Sequence, residues 1–275
     1  MAQNLASKYI DKVDERFKLG SLHKPFITNE YDWVGVNAIN VYTVDTVAMG
    51  DYTRSGTARY GTAAELGTGL QTMTLTKDRA FTFIIDQGNH TEEMMVTKAN
   101  KALKRQVDEI LIPEVDTRVF AVMSAAAVAN SSSAIAATTA ANAYIQFLAG
   151  MEKLGEAKVP LKGLVAGVTP AFYSFLKQDN SFVRSSDMGQ KMLVTGQIGE
   201  VDGVRIIMIP STYFPANTAF ILAHPTATVA PQKLQSYKIH KDPVGVSGWL
   251  VEGRTIYDAF VRGSKVDALY THLIA

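Results

Sequence analysis

The fold of this chain is decided by the stretch Asn89–Val128, NHTEEMMVTKANKALKRQVDEILIPEVDTRVFAVMSAAAV. Asn89 followed by Glu92 and Glu93 is typical of a helix N-terminus, because the capping side chain accepts from free N–H groups and acids favour the positive end of the helix dipole. Apolar residues then recur at steps of three or four, at Val96, Ala99, Leu103, Val107, Leu111, Val115, Val119 and Val122. This spacing predicts one face of an α-helix.

Pro113 lies inside this pattern, where a proline usually kinks or ends a helix. Because the apolar stripe keeps its phase across Pro113, we predict one kinked helix rather than two. At 1.5 Å per residue this helix is roughly 57 Å long. A compact globule of 275 residues is about 48 Å across. The helix is longer than the globule, which predicts an elongated or plate-like subunit.

The composition is that of an ordinary soluble protein, with 47% apolar and 19% charged residues. The net charge of +1 gives no general attraction to nucleic acid or acidic lipid. The absence of cysteine excludes disulfides and thiolate metal sites and suits a reducing cytoplasm. The N-terminus is too charged for a secretory signal, and polar residues at 130–133 interrupt the most apolar tract, so we expect no membrane segment.

The first part of the chain predicts a small amphipathic helix over Ser7–Lys18, with Ile10, Val13 and Phe17 on one side. The residues that follow, to Asp32, have no regular pattern. A helix this short cannot bury its apolar side alone. We therefore expect it to dock on its own core or on another subunit, and its three apolar residues are candidate inter-subunit contacts.

The next part predicts a long projection. Ala38–Met49 is rich in β-branched and aromatic residues, and Gln71–Asp86 alternates as one long strand. Between them lie roughly twenty glycine-rich residues, and so long a loop without structure argues against a compact domain. We predict a two-stranded projection whose tip rests on a neighbouring molecule; the alternative is a disordered surface loop. The candidate contacts at the tip are Tyr52, Arg54, Arg59 and Tyr60.

The rest of the chain alternates helices and strands and then becomes rich in strands. One helix is predicted with Tyr144, Ile145, Leu148, Met151 and Leu154 facing inward, and another opens at Thr169-Pro170. A hairpin is predicted to turn at Asp202-Gly203. Further strands are expected at 161–168, 218–223, 235–239, 248–262 and 268–273. The last three of these strands need a surface to pack on, and the long helix is the obvious partner.

Sequence motifs for catalysis or metal binding are absent. There is no P-loop, no GxGxxG after a strand, no HExxH and no GxSxG, and the five histidines are scattered. His224, before a proline at a strand end, is interpreted as structural. The carboxylates Asp108, Glu109, Glu114 and Asp116 are predicted to lie on the exposed side of the long helix. The pattern supports neither an enzyme nor a cofactor.

One charged cluster could serve a function. Lys98, Lys101, Lys104 and Arg105 form a basic strip on the first half of the long helix, which could contact a phosphate backbone or an acidic neighbour. Alternatively, it is a polar face in which lysine or arginine pairs with the acid four residues later, as Lys104 would with Asp108. The sequence leaves both open, and we favour the polar face.

Five segments, taken in order, resemble the major capsid proteins of tailed bacteriophages with the Hong Kong 97-type fold. They are LTKDRAFTFIIDQGNHTEE (75–93), IPEVDTRVFAVM (112–123), LVAGVTPAFYSFLK (164–177), GQIGEVDGVRIIMIPS (196–211) and GRTIYDAFVRGSKVDALYTH (253–272). The resemblance implies an α+β fold with an N-terminal arm (1–38), an extended loop (39–88), a peripheral domain with a long spine helix (89–130 and 226–275) and an axial domain (131–225).

The resemblance also implies a function and partners. Many copies would form pentamers and hexamers of an icosahedral shell around double-stranded DNA, bound without sequence specificity. The extended loop would lie over an adjacent subunit, and the first thirty residues would clasp another. A portal protein is implied, as is a location in the virion after assembly in the host cytoplasm. The basic strip would belong to the inner face.

Two departures from the family archetype carry expectations. The archetype forms isopeptide crosslinks between a lysine of the extended loop and an asparagine of the peripheral domain. Residues 50–76 contain no lysine and residues 219–275 contain no asparagine, so we expect a shell without such crosslinks. The archetype also begins with a long scaffolding segment, whereas only a short arm precedes the projection here. We therefore expect a separate scaffolding protein.

Two alternatives remain at this point. An encapsulin-like nanocompartment shell resembles the same fold but encloses cargo enzymes, and a cargo gene beside this one would favour it. A compact α/β enzyme with an unrecognised site would stay monomeric at high concentration.

Overall fold

A computed structural model describes residues 20–28, 30, 38–63, 65–87, 99–131, 137–179 and 199–274. The long helix, which we call the spine helix (α1), runs without a break through residues 99–131. It consists of α-helical Ala99–Gln106, a π-helical turn at Val107–Leu111 and α-helical Ile112–Ser131. At 1.5 Å per residue it is about 50 Å long. The prediction of one helix through Pro113 is confirmed, while the predicted start at Asn89 lies outside the described residues.

The π turn lies directly before Pro113, and its position has a physical reason. A proline inside a helix has no N–H to donate, and its ring collides with the carbonyl four residues earlier. Here the Ile112 N–H donates to the Val107 carbonyl, five residues back. The wider turn gives the proline ring room, so the helix accommodates Pro113 without ending.

A five-stranded sheet forms the centre of the subunit, with the strand order β12-β7-β4-β6-β5. Its strands are β4 (Val165–Val168), β5 (Glu200–Val201), β6 (Val204–Met208), β7 (Thr218–Ala223) and β12 (Leu269–Leu273). β4 and β6 are parallel and the other pairs antiparallel. The hairpin from β5 to β6 turns at Asp202 and Gly203, which have φ of +50° and +77°, as predicted from the Asp-Gly pair.

The central sheet separates two hydrophobic cores. Phe220 and Leu222 of β7 belong to one core, and their neighbours Ile221 and Ala223 to the other. This alternation follows from the two-residue period of a strand, and it explains why all six residues of β7 are buried. Helices α2 (Ala143–Glu156) and α3 (Pro170–Gln178) cover the first face, and the spine helix covers the second.

Helix α2 turns a different face to the sheet than the sequence predicts. Its buried residues are Ala143, Gln146, Phe147, Gly150 and Leu154, whereas Ile145 and Leu148 are 57% and 39% exposed. The prediction that these two residues face inward was wrong. Small residues at 143 and 150 let the helix approach the sheet closely, and packing around the two rings of Phe147 and Tyr270 sets its rotation.

A second sheet has three antiparallel strands, in the order β3-β10-β9. They are β3 (Lys77–Asp86), β9 (Gln232–Lys241) and β10 (Gly248–Tyr257). Two short strands, β8 (Thr228–Val229) and β11 (Phe260–Val261), pair beside it. The prediction of one continuous strand over 71–86 was wrong, because β2 (Thr68–Thr74) ends before Leu75 and pairs elsewhere. The alternation nevertheless continues across the break, with Met73, Leu75 and Ile85 all buried.

Residues 20–28 are attached to their own subunit. The backbone N–H groups of Leu22 and His23 donate to the Asp116 carboxylate at 3.0 and 3.3 Å, and the His23 ring also bonds to it. Phe26 is fully buried, with its ring 5.5 Å from that of Phe120. The predicted contact of the first thirty residues with a neighbour stays a prediction, and its candidate residues Ile10, Val13 and Phe17 lie outside the described residues.

The structure corrects the prediction that four carboxylates lie on the exposed side of the helix. Asp116 is fully buried, because residues 20–28 cover it, and its carboxylate accepts the hydrogen bonds of their N–H groups. Glu114 is half-buried and accepts from the Tyr257 hydroxyl at 2.9 Å and from Arg79 at 2.7 Å. Asp108 and Glu109 are partly exposed.

The last strand is held by the central sheet as well as by the spine helix. β12 pairs with β7 along residues 218–223, although the predicted domain division places 226–275 with the spine helix. The spine helix packs on the same strand through Leu269. The division into arm, loop, peripheral and axial domains stays a prediction.

Candidate assembly surfaces

A two-stranded projection, which we call the finger (residues 38–76), extends from the body of the subunit. β1 (Ala38–Val44) pairs with β2 in antiparallel register, from Ala38 opposite Thr74 to Val44 opposite Thr68. Beyond the strands, the Asp45 N–H donates to the Gly67 carbonyl at 3.0 Å. Every described residue from 44 to 68 is exposed. The prediction of a two-stranded projection is confirmed, and its tip makes no buried contact with its own subunit in the described part of the chain.

The tip brings together the four residues that the sequence selects as contacts. The Tyr52 and Tyr60 rings meet edge to face at 4.9 Å, and the Thr53 N–H donates to the Arg59 carbonyl at 3.0 Å. Arg59 Nε donates to the Gly56 carbonyl at 3.0 Å, and Arg54 lies at the start of the same bend. These residues are exposed, so they are available to a neighbour. Their contact with one stays a prediction.

The finger also carries an apolar surface that sequence reasoning missed. Tyr42 lies opposite Leu70, and Val44 lies beside them on the same face of the ribbon. Their exposed fractions are 71%, 57% and 63%. Large apolar side chains grouped on one exposed face usually mark a protein interface. The alternation of β1 could have identified this face, because the opposite parity, Ile39 and Val41, packs on the body.

The finger is attached to the body at residues 71–76, which we call the finger root. Met73 and Leu75 are buried and pack with Ile256 and Phe260 of the body. Gln71 and Thr76 add hydrogen bonds between the root and the body: both donate to body residues, and Gln71 also accepts from the Gly263 N–H. The root therefore combines a small apolar core with polar contacts on either side of it.

Asp258 is the central polar residue of this attachment. It is 2% exposed and accepts from Thr76 on the finger, from Arg118 on the spine helix and from the Ala259 N–H. Burial by itself raises the pKa of Asp258, but the hydrogen bonds from Thr76, Ala259 and Arg118 together outweigh it and hold the pKa below its ordinary value. The carboxylate is therefore charged in the folded subunit.

The basic strip is only partly described. Lys101 and Lys104 are exposed and Arg105 is half-buried, whereas Lys98 lies outside the described residues. The two alternatives, a contact with phosphate or a polar helix face, therefore stay open.

Within the described ranges, no cluster of three or more histidine, aspartate or glutamate side chains could hold a metal ion. None of the described helices is long and apolar enough to span a membrane. His224 has the structural role expected of it, because its ring caps the turn at Pro225–Ala227 through Thr226.

The fold is shared by solved phage structures at low sequence identity. A chain from Mycobacterium phage Che8 matches with a TM-score of 0.74 and 16% identity over 98% of this chain and 97% of that one. A chain from the capsid of cyanophage P-SCSP1u matches with a TM-score of 0.76 and 13% identity, over 99% of this chain and 93% of that one. A chain from the asymmetric unit of the mature bacteriophage PhiM1 capsid matches with a TM-score of 0.76 and 14% identity, over 98% of this chain and 92% of that one. The fold is that of the Hong Kong 97-type capsid proteins.

The family is established by the sequence itself. Residues 91–271, more than half of the chain, match the model of a family described as phage capsid protein. The chain therefore belongs to the phage capsid protein family, and its function is that of a tailed-phage major capsid protein. No curated protein sequence is significantly similar to it. The family supports a structural rather than an enzymatic role and a place in the virion capsid, and it disfavours the encapsulin-like alternative.

Proposed function

We propose that copies of this capsid protein assemble into pentamers and hexamers, which tile an icosahedral shell around double-stranded DNA. The finger carries this proposal, because every described residue from 44 to 68 is exposed, and so is the apolar face formed by Tyr42, Val44 and Leu70. A neighbouring copy that covers this face would bury surface that the subunit alone leaves in water. In a symmetric shell, each subunit would both extend a finger and receive one.

Negative-stain electron microscopy of the expressed protein tests this function. We expect shells, tubes, or pentameric and hexameric rings. A matched variant replaces residues 45–67 with Asn-Gly, which closes β1 onto β2 as a short hairpin. It should fold with the helical content of the parent subunit but remain monomeric. Closed shells formed by the shortened variant, which keeps Tyr42, Val44 and Leu70, would contradict the role of the finger tip, and a monomeric compact parent would contradict the function.

The remaining partners belong to the same proposal. A separate scaffolding protein would guide the assembly, a portal protein would occupy one vertex, and the DNA would be held without sequence specificity in the host cytoplasm where the shells form. Coexpression with and without the scaffolding gene of the same phage tests the first partner. Uniform shells of one diameter from this protein alone would contradict the need for a scaffold.

A further inference from the structure

The finger root contains a polar clamp around its small apolar core. On one side of Met73, the Gln71 side chain reaches the end of β11 and the residues just after it. Its Nε2 donates to the Val261 carbonyl at 2.9 Å, and its Oε1 accepts from the Gly263 N–H at 2.8 Å. An amide that both donates and accepts is held in one orientation, because neither bond survives a rotation of the side chain. Gln71 thereby fixes β2 to the body.

On the other side of Leu75, the chain is fixed by Asp258. Its Oδ2 accepts from both the Thr76 N–H at 3.0 Å and the Thr76 hydroxyl at 2.6 Å. Its Oδ1 accepts from Arg118 Nε at 3.1 Å. The carboxylate therefore joins the finger to the spine helix through one rigid group, and hydrogen bonds to a charged acceptor are stronger than neutral ones.

The clamp acts on a lever that ends in the tip. Beyond Gln71 and its partner Val41, each strand of the finger runs three further residues, about 10 Å at 3.3 Å per residue, before the tip begins. A rotation of about 10° at Gln71 would move the end of the strands by about 2 Å, roughly half the contact distance between two apolar side chains, and would move the tip beyond them further. A contact made by the tip on a neighbour is therefore sensitive to the angle at the root.

We propose that Gln71 and Asp258 are positioning residues that set the angle at which the finger leaves the body, and through it the angle between adjacent subunits of the shell. This proposal rests on the proposed function, because the angle matters only where a neighbour receives the finger. The buried pair Met73 and Leu75 keeps the finger attached. The clamp gives that attachment its direction.

The test compares Gln71→Met with Thr72→Val. Methionine keeps the length and apolar stem of Gln71 and removes both hydrogen bonds to the body. Thr72 is the next residue on the opposite face, where its hydroxyl donates to Asn40 Oδ1 at 2.8 Å within the finger. Both variants and the parent are coexpressed under conditions in which the parent forms shells. The diameters of the particles are measured by electron cryomicroscopy, and the thermal midpoints of the subunits by calorimetry.

We expect Gln71→Met particles to vary in diameter or to remain open, with a thermal midpoint close to that of the parent, while Thr72→Val particles keep the parental diameter. If Gln71→Met forms particles with the same diameter as those of the parent, the proposal is overturned. If Gln71→Met does not fold, Thr76→Val decides alone, because it removes one bond to Asp258 and keeps the backbone bond. Parental diameters from this variant then overturn the proposal. Failure of the parent to assemble would contradict the proposed function instead.

Discussion

Helix α2 approaches the central sheet closely at Gly150. A Cβ built there lies 2.7 Å from Tyr270 Cε1 and 2.9 Å from Leu222 Cδ1. Real Cβ atoms do not come so close to neighbouring atoms, so any larger residue must displace the helix or the side chains of Tyr270 and Leu222. The absence of a side chain at this one position therefore determines the spacing of two layers.

We expect Gly150→Ala to lower the free energy of unfolding by about 1–3 kcal/mol, although alanine is the better helix former, because overpacking outweighs propensity. Gly155→Ala is the matched control on the same helix, since a Cβ at Gly155 meets no atom within 4 Å. It should leave the stability unchanged or raise it slightly. Chemical denaturation of both variants checks this. A Gly150→Ala subunit as stable as the parent would contradict the close approach.

His272 makes the stability of the subunit depend on pH. His272 is 2% exposed and its ring stacks on Phe220 at 5.0 Å, and its Nε2 has no hydrogen-bond partner among the described residues. Burial, and then the positive charge of Lys153, lowers the pKa of His272 from its ordinary 6.5. The unfolded chain therefore binds a proton more readily than the folded one, so stability is fully present above pH 6.5 and is lost as the pH falls below it.

The variant His272→Phe should remove this pH dependence, because it keeps the stacked ring and removes the titration. We expect the loss of stability just below pH 6.5 to become smaller, as measured by denaturation of isolated subunits at several pH values. The lowered pKa of Asp258 also makes the subunit less stable as the pH falls, but only below pH 3.8. The two contributions to the pH dependence are therefore separable. His240→Gln, at an exposed position, is the control. An unchanged slope in His272→Phe would contradict the prediction.

At the scale of elements, the segment at 20–28 shows how a chain without regular pattern is held in place. One buried carboxylate, Asp116, accepts from two consecutive N–H groups of the segment, and Phe26 fills the space beside Phe120. The first contact satisfies backbone groups that no sheet or helix could satisfy, and the second adds apolar burial. Both are needed, because the segment has too few residues to form a core of its own.

We expect Asp116→Ala to detach residues 20–28 and to lower the free energy of unfolding by about 3 kcal/mol, because buried backbone donors lose their carboxylate acceptor. Thr117→Ala is the control one residue further along the helix. Thr117 is exposed and its hydroxyl donates only to the Pro113 carbonyl among the contacts described. Hydrogen exchange of the segment measures the detachment. Slow exchange at 22 and 23 in the Asp116→Ala subunit would contradict it.

At the scale of the whole molecule, the subunit joins a body with two buried cores to an exposed finger. The spine helix contributes to the buried core with residues from Val115 onward, whereas its first turns are only partly covered. The body buries apolar residues on both faces of the central sheet, and among the residues that the structure describes the finger buries apolar side chains only at its root. Stability therefore resides in the body, and the finger is the part that we propose for association.

The shell should be held together without covalent bonds. Residues 50–76 contain no lysine and residues 219–275 contain no asparagine, the two partners of an isopeptide crosslink in the archetype. We expect assembled particles boiled in SDS to run as a single band of 29.9 kDa on a denaturing gel. Particles treated with a lysine-reactive crosslinker are the positive control for a ladder. A ladder of multimers in the untreated particles would contradict this prediction.

The sequence by itself determined the elements whose signals are local. The apolar stripe through Pro113, the Asp-Gly turn at 202–203, the Thr-Pro start of α3 and the strand at 218–223 all depend on neighbours within a few residues, and the structure confirms each. The order of these elements was enough to indicate the capsid fold. A helix longer than its globule and a glycine-rich projection were enough to predict that other copies complete the subunit.

Only the tertiary structure decided which surfaces meet. The rotation of α2, the burial of Asp116, the break at Leu75 and the clamp formed by Gln71 and Asp258 each depend on residues far apart in the chain, with Gln71 and Gly263 separated by 192 positions. A side chain's partners across such a distance leave no periodic signal in the sequence. Packing and hydrogen bonding select them after the elements have formed, and for that reason the finger could be predicted while the residues that direct it could not.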